Sequence, residues 1–465
     1  MWRSAGLMQG MSMVAELSDK EFAIQRIQEV NDALASGMYV LARRMLHNTP
    51  ACDVALLLES SPPKTRAVIW QLVDADEHGD ILEELSEEVQ KSIIRQMAPE
   101  KLAAATEGMD TDDLAYVLRG LPDPVYQEVL KSMDSQDRQR AEMALSYDED
   151  SAGGMMNTDT ITLRPEVSID VVLRYLRLKG ELPEATDKLY VVNRDDRFIG
   201  EISLASLLTV EPSLLVSEVM QADVQGIPAN LEDTEVAKLF ERHDWVSAPV
   251  IDDDNRLLGR ITIDDVVDII REEAQHSMLS MAGLEDDEDT FAPVVTSARR
   301  RSVWLAVNLV TALLAAAVSS MFEDILAQMA ILAILNTIVP SMGGIAGSQT
   351  LTLVIRAMAM GHISQSNSRW LIGKELAIGA INGAIWAILI AAVVALWKQD
   401  WVIGGIIAFA MMMNLLAAGL AGVTIPLILK RFNIDPALAG GVILTTVTDV
   451  VGIFAFLGTA TLLLT

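Results

Sequence analysis

The chain has 465 residues, room for about three domains, and a formal net charge of −29. So acidic a surface excludes nucleic acid as a partner and makes cations the expected one. The acidity is confined: residues 1–298 hold 26 basic and 58 acidic groups (net −32), and the rest hold nine basic and six acidic ones (net +3). The single cysteine, Cys52, excludes an intrachain disulfide framework and fits a reducing compartment.

In chain order, residues 1–19 form an extension. Its one arginine and lack of a long apolar core predict no signal peptide. Residues 20–150 read as an all-helical domain. Asp53-Val-Ala-Leu-Leu-Leu, Asp80-Ile-Leu-Glu-Glu-Leu and Asp113-Leu-Ala-Tyr-Val-Leu each predict a helix opened by an acidic cap. A second apolar-periodic helix follows each, ending near Gln71, Met97 or Met133. Spacings of 27 and 33 residues predict stacked helical hairpins, a small superhelical solenoid.

Residues 151–274 hold an internal repeat. Val191-Val-Asn-Arg-Asp-Asp-Arg-Phe-Ile-Gly-Glu-Ile-Ser-Leu204 recurs as Val250-Ile-Asp-Asp-Asp-Asn-Arg-Leu-Leu-Gly-Arg-Ile-Thr-Ile263. Each copy predicts strand, helix, strand, tight polar turn, strand, helix. The pattern resembles a tandem CBS pair, a sensor module that implies an adenosine nucleotide held by a Thr or Ser and an Asp three residues on. Thr262 and Asp265 have that spacing, so ATP or another adenine nucleotide is the implied ligand; the first copy has Ser203 and Ser206 instead.

Acidic clusters mark the second copy: Asp252, Asp253, Asp264, Asp265, Asp268, Glu272 and Glu273. Asp264, Asp265, Asp268 and Glu272 recur at helical spacing, so several share a face and repel unless a cation bridges them. The bland alternative is a solvated face. Glu285–Asp289 adds a further acidic run in the connecting stretch 275–298, where a plug-like helix is expected. No glycine-rich phosphate loop with lysine and no zinc pattern occurs, and the five histidines are scattered. Catalysis and pumping by this chain alone are therefore not expected.

From Arg299 to Thr465 five apolar stretches are long enough to cross a hydrocarbon core, which takes roughly 20 residues each. They cover about 302–321, 327–355, 376–397, 401–429 and 436–464. The loops on one side carry eight basic residues and those on the other only Lys398, so the N-terminal region is expected in the cytosol and the C-terminus outside. Asp449 lies near the middle of the fifth stretch, where a carboxylate costs about 2.5–3.5 kcal/mol on insertion scales. It is either protonated or hydrogen-bonded, or it lines a cation path. Thr445 and Thr448 precede it, and such oxygens suit a hydrated Mg²⁺. In the second stretch Pro340 followed by Gly343, Gly344 and Gly347 reads either as a helix break exposing Ser348, Gln349 and Thr350, or as close helix packing.

Pro340-Ser-Met-Gly-Gly, Gly347-Ser-Gln-Thr-Leu-Thr-Leu-Val-Ile-Arg356, Pro436-Ala-Leu-Ala-Gly-Gly and Thr445-Thr-Val-Thr-Asp449 resemble the MgtE family of magnesium channels and transporters. The order of parts resembles it too. The resemblance implies a multidomain membrane protein: an all-α N-domain, an α/β CBS pair and a five-helix membrane domain. It implies a homodimer in a bacterial inner membrane, with Mg²⁺ at Asp449 in the pore. It further implies Mg²⁺ between acidic cytosolic surfaces that closes the pore, with Asp264, Asp265, Asp268 and Glu273 on sensor positions. His276-Ser277 departs from an expected acidic pair, and Ile345 and Ser348 stand where Asn is common. The rivals are a Co²⁺ or Mn²⁺ transporter regulated mainly by adenine nucleotide, and a membrane-anchored signalling module.

Overall fold

Short amphipathic helices fill the chain from residue 25 to 144. The computed structural model describes residues 25–464 except 108, 122, 134, 184, 285–288, 365 and 366. Helix α1 spans residues 25–35. It is followed by α2 (Tyr39–His47), α3 (Ala51–Glu59), α4 (Pro63–Leu72), α5 (His78–Glu83), α6 (Glu87–Ile94), α7 (Pro99–Ala105), α8 (Thr111–Arg119), α9 (Asp123–Ser132) and α10 (Ser135–Ala144). Proline opens α4 and α7, where its missing N–H would be unpaired anyway. Asp53, Asp80 and Asp113 were expected as caps, but each is the third residue of its helix. There the carboxylate opposes the positive end of the helix dipole without a capping hydrogen bond. Helix α2 packs on α4, α3 on α5, α7 on α9 and α8 on α10, so in each of these pairs a helix meets the one two places on. Their apolar faces close one core around Leu57, Leu58, Ile69, Leu82, Leu102 and Leu118. Each such side chain contributes about 1.5–3 kcal/mol when fully buried.

The repeat folds as two small sheets. In the first, β1 (Thr162–Leu163) runs parallel to β2 (Lys188–Val192), which pairs antiparallel with β3 (Phe198–Ser203). Helices α11 (Ile169–Lys179), α12 (Leu204–Thr209) and α13 (Val216–Val219) accompany it. In the second, β4 (Ile227–Pro228), β5 (Ser247–Ile251) and β6 (Leu257–Thr262) repeat the order, with α14 (Asp233–His243) and α15 (Ile263–Met281). The registers match: Val191 faces Gly200 and Val250 faces Gly259, each followed by a register shift.

The membrane part comprises α16 (Val294–Ser320), α17 (Glu323–Gln328), α18 (Ala330–Leu335), α19 (Ile338–Ala359), α20 (Ser368–Lys398), α21 (Trp401–Arg431) and α22 (Pro436–Leu464). Five spans result, α18 and α19 making one, and all are long and apolar enough to cross a bilayer. The chain is thus a multi-pass membrane protein. By contacts it divides into one unit of Met1–Ala274 with Asp287–Pro293, and another of Gln275–Asp286 with Val294–Thr465. The residues expected as a connecting helix are shared between the end of α15 and the start of α16. Of the acidic run Glu285–Asp289, only Asp289 is among the described residues. It forms a buried ion pair with Arg66 at 3.1 Å.

The second span is interrupted, but not at its glycines. The irregular residues are Met329 and, between α18 and α19, Asn336 and Thr337. Pro340 is the third residue of α19, in the first turn, so it removes no intrahelical bond. Ser348, Gln349 and Thr350 lie in unbroken helix. The glycines serve close packing. Asn414 of α21 donates from Nδ2 to the Val339 carbonyl at 2.7 Å, and a Cβ on Gly343 would come within 2.1 Å of that nitrogen. We expect Gly343→Ala to cost about 1–3 kcal/mol by overpacking, seen as a lower thermal midpoint of the detergent-solubilised chain. An unchanged midpoint would refute the close-packing account.

Candidate ion path and carboxylate sensor

Helix α22 places Asp449 at its middle, thirteen residues from its start and fifteen from its end. The side chain is half-buried, and among the described residues no charged neighbour acts on it. Thr445, one turn earlier on the same face, is exposed. Its hydroxyl donates to the Gly441 carbonyl, leaving the oxygen lone pairs outward. Thr448 was expected beside them but is fully buried. It donates to the carbonyls of Leu444 and Thr445 at 3.1 and 3.0 Å and lies 4.0 Å from where a Gly344 side chain would begin. One residue of offset rotates it about 100° from Asp449, into the packing against α19. The face able to offer oxygens to a hard cation is therefore Asp449 with Thr445.

The acidic residues of the second repeat copy separate into three groups. Asp252 is a turn residue: its Oδ1 accepts from the N–H groups of Asp254 and Arg256 at 2.9 and 2.7 Å. Asn193 does the same for Asp195 and Arg197 in the first copy. A neutral side chain serves equally there, so the hairpin accounts for Asp252 without a metal. Asp253 is exposed beside it.

The second group joins the helical domain to the second repeat copy. Asp264 and Asp265 open α15, and Asp112 and Asp113 lie in the first turn of α8, with Asp110 just before it. Burial and the charges of Asp265, Asp113 and Asp110 push the Asp112 carboxyl well above the usual range. Burial, with Glu83, Asp265, Asp110 and Asp264, pushes Asp113 up to about 8. Asp265 rises to about 6 through burial and the Asp264 charge, despite its hydrogen bonds from Thr262. Asp112 Oδ1 is buried without a hydrogen-bond partner. Buried carboxylates facing one another are unfavourable unless protonated or bridged by a cation. Of these, Asp113 entered the sequence reading only as a helix-opening acid, and Asp110 and Asp112 did not enter it. Their partners lie about 150 residues away, a pairing that periodicity cannot show.

The third group is Glu272 and Glu273 with Asp268. Burial raises Glu272, with the charges of Asp268, Asp233 and Glu149 adding to it. Burial raises Asp233, with Asp150, Glu273 and Glu232 adding. Asp268 also pairs with Arg271 at 3.1 Å.

Thr262 Oγ1 donates to Asp265 Oδ2 at 2.9 Å, so the two residues that the CBS resemblance implied for a nucleotide are in contact. In the first copy Ser203 donates to Ser206 at 2.8 Å, with no carboxylate. Elsewhere, His47, Asp74 and Glu77 bring their ligand-type atoms within 4.8 Å of one another on the helical domain. Arg43 donates to Asp74 there at 2.6 Å, and this pairing already neutralises part of the group.

Comparison with known proteins follows the same division. The divalent cation transporter profile of MgtE matches residues 336–459. The MgtE intracellular N domain matches 49–150, and CBS domains match 152–212 and 216–272. The magnesium transporter MgtE of Bacillus subtilis is 29% identical over 419 residues, 90% of this chain and 93% of that protein. The magnesium transporter MgtE of Thermus thermophilus is 28% identical over 440 residues, 94% of this chain and 98% of its own. Among solved structures, the cytosolic domain of the Mg²⁺ channel MgtE in complex with ATP is 29% identical with a TM-score of 0.49, covering 52% of this chain and 99% of that one. A helical N-domain, a CBS pair and a membrane domain, matched in that order and aligned along nine-tenths of the sequence, place the chain in the MgtE family.

Proposed function

We propose that the chain is a channel-like transporter that admits Mg²⁺ through a homodimeric pore and closes when cytosolic Mg²⁺ is plentiful. The observation that carries this reading is Asp449, a carboxylate at mid-helix with no charged neighbour and Thr445 on its face. Two copies facing across a two-fold axis would hold a largely hydrated ion. The relatives' names, magnesium transporter, support the choice of ion.

The protein lies in the bacterial inner membrane with its N-terminus in the cytosol, a reading supported by the basic loops. We take 20–150 as the N-domain, 151–274 as the CBS pair, 275–298 as the connection and 299–465 as the membrane domain. The gate is the carboxylate group around Asp112, Asp113, Asp264 and Asp265. Mg²⁺ stabilises the closed state only by binding it more tightly than the open one.

Adenine nucleotide is a second ligand of the same sensor. The Thr262–Asp265 pair supports it, and the surrounding carboxylates require that it arrive with Mg²⁺. Uptake of Mg²⁺ into proteoliposomes containing the purified chain, followed with an internal Mg²⁺ dye, tests the transport reading. We expect uptake above empty vesicles that falls when Mg²⁺ is added on the cytosolic face. Uptake of Co²⁺ or Mn²⁺ without Mg²⁺ would favour the rival selectivity, and no uptake would favour a membrane-anchored module.

A further inference from the structure

The membrane unit contains a second buried carboxylate. Glu375 lies about two turns inside α20 and is 5% exposed. The residue is thus largely shielded from solvent. Its Oε2 accepts a hydrogen bond from Thr350 Oγ1 of α19 at 3.0 Å, and Thr350 is itself buried. Its Oε1 lies 3.3 Å from Lys374 Nζ, whose side chain reaches solvent. Helix α21 closes over both residues. A Cβ on Gly419 would lie 2.9 Å from the Glu375 carbonyl, and one on Gly422 would lie 2.8 Å from Thr350 Cβ.

Packing alone gives no reason for this carboxylate. An ionisable side chain inside a membrane helix costs about 2.5–3.5 kcal/mol, and a leucine or glutamine would fill similar volume. The reason lies on the face of α19 that Thr350 shares with Gly343 and Gly347, seven and three residues before it. That helix meets α22 and α21 through Gly343, Gly344 and Gly347. Glycines allow close approach, but they provide no side chain to resist rotation or sliding of the helix. A directional hydrogen bond to a charged acceptor supplies what the glycine face lacks. Gly344, less than two turns before Thr350, is the residue whose Cβ would lie 3.9 Å from Thr445 Cγ2 and 4.0 Å from Thr448 Oγ1.

We propose that Glu375 is a positioning residue of the ion path. By holding Thr350, it fixes the rotation of α19 and so sets the spacing between the glycine face and the Thr445–Asp449 face of α22. The role in ion passage rests on the transport reading above; the role in helix position does not.

The test uses the full-length chain in detergent with Cys52→Ser, which removes its lone exposed thiol. Gly344→Cys and Thr445→Cys are then introduced as a reporter pair, since a Cβ at 344 would lie 3.9 Å from Thr445 Cγ2, a position that a sulfur at 445 can take. In this background Thr350→Val, nearly isosteric, and Glu375→Ala should slow oxidative cross-linking about tenfold, the factor expected for a lost hydrogen bond to a charged group. Glu375→Gln keeps an acceptor at the same reach and should stay within about twofold of the parent, the small loss of a neutral acceptor. Glu375→Asp, one methylene short, should behave like the alanine variant. In proteoliposomes, Thr350→Val should raise the half-saturating Mg²⁺ concentration, while Glu375→Gln alone should keep the parent value. If Thr350→Val elutes as a monodisperse peak and cross-links like the parent, the proposal is overturned. Should Glu375→Ala fail to fold, Thr350→Val and Glu375→Gln still decide. If cross-linking depends on Glu375 while the parent carries no Mg²⁺, the positioning role stands and the transport reading falls.

Discussion

Asp449→Ala should reduce Mg²⁺ uptake at least about 100-fold, while leaving expression and folding intact. The magnitude follows from what one charge is worth to a divalent ion away from bulk water. Loss of even about 2.7 kcal/mol corresponds to a factor of 100, and in a homodimer each substitution removes two carboxylates from one axis. Folding should survive because, among the described residues, no charged group acts on Asp449. Removing it also removes the insertion cost of a mid-helix carboxylate, so the variant should be at least as stable as the parent. Asp449→Asn separates charge from shape. It keeps the side-chain volume and an oxygen, and it should lose nearly as much uptake as alanine if charge holds the ion. Thr445→Val should have a smaller effect, because a neutral oxygen offers a hydrated ion only a hydrogen bond. Thr448→Ala should act through stability, since its side chain is buried between α22 and α19. Uptake by Asp449→Ala equal to that of the parent would refute the assignment of α22 to the path.

Much of this arrangement is legible in the sequence, because hydropathy and internal repetition are properties of contiguous residues. The five spans follow from apolar length, and the matching hairpins follow from the Val191 and Val250 segments. Asp449 stands out because nothing charged surrounds it in sequence. Glu375 does not, for the opposite reason. It follows Lys374 and reads as one of the charges that end a span, so the third helix was expected from about 376 rather than Ser368. Its burial depends on Gly419, Gly422 and Thr350 of two other helices. The break in the second span was sought at Pro340 and its glycines, the residues that disrupt helices locally. Tertiary packing uses those glycines for contact and allows the chain to bend at Met329 and at Asn336–Thr337. Asp252 carried a charge that suggested a ligand, yet the same position in the first copy is Asn193, and backbone amides occupy both. Thr448 illustrates the remaining limit. Proximity to Asp449 in sequence says little about direction when each residue turns the helix by about 100°.

The second large effect concerns the sensor, where protons and Mg²⁺ should compete for the same carboxylates. Asp113 is raised to about 8 and Asp265 to about 6 when α8 and α15 lie together, and Asp112 is raised as well. Raised values mean that the docked state binds more protons than the separated one. Without metal, docking should therefore be strongest below about pH 4, the ordinary carboxylate range. It should weaken progressively as the pH climbs through 6 and on to 8. Mg²⁺ supplies positive charge without a proton, so its stabilising effect should run the other way: small in acid and large at pH 8. Limited proteolysis of the full-length chain near residue 290 reads this directly. At pH 8, millimolar Mg²⁺ should slow cleavage at least about tenfold, the factor for 1.4 kcal/mol. At pH 5 the metal-free chain should already be protected, and Mg²⁺ should change the rate by less than about twofold, because the protons have removed the repulsion. Asp112→Asn with Asp113→Asn imitates the protonated pair at every pH. That double variant should be protected at pH 8 without Mg²⁺, and its uptake should be low even when cytosolic Mg²⁺ is scarce. Cleavage that responds to Mg²⁺ equally at pH 5 and pH 8 would mean that these carboxylates do not form the gate. The protection would then have to come from the neighbouring carboxylates Asp233, Glu272 and Glu273.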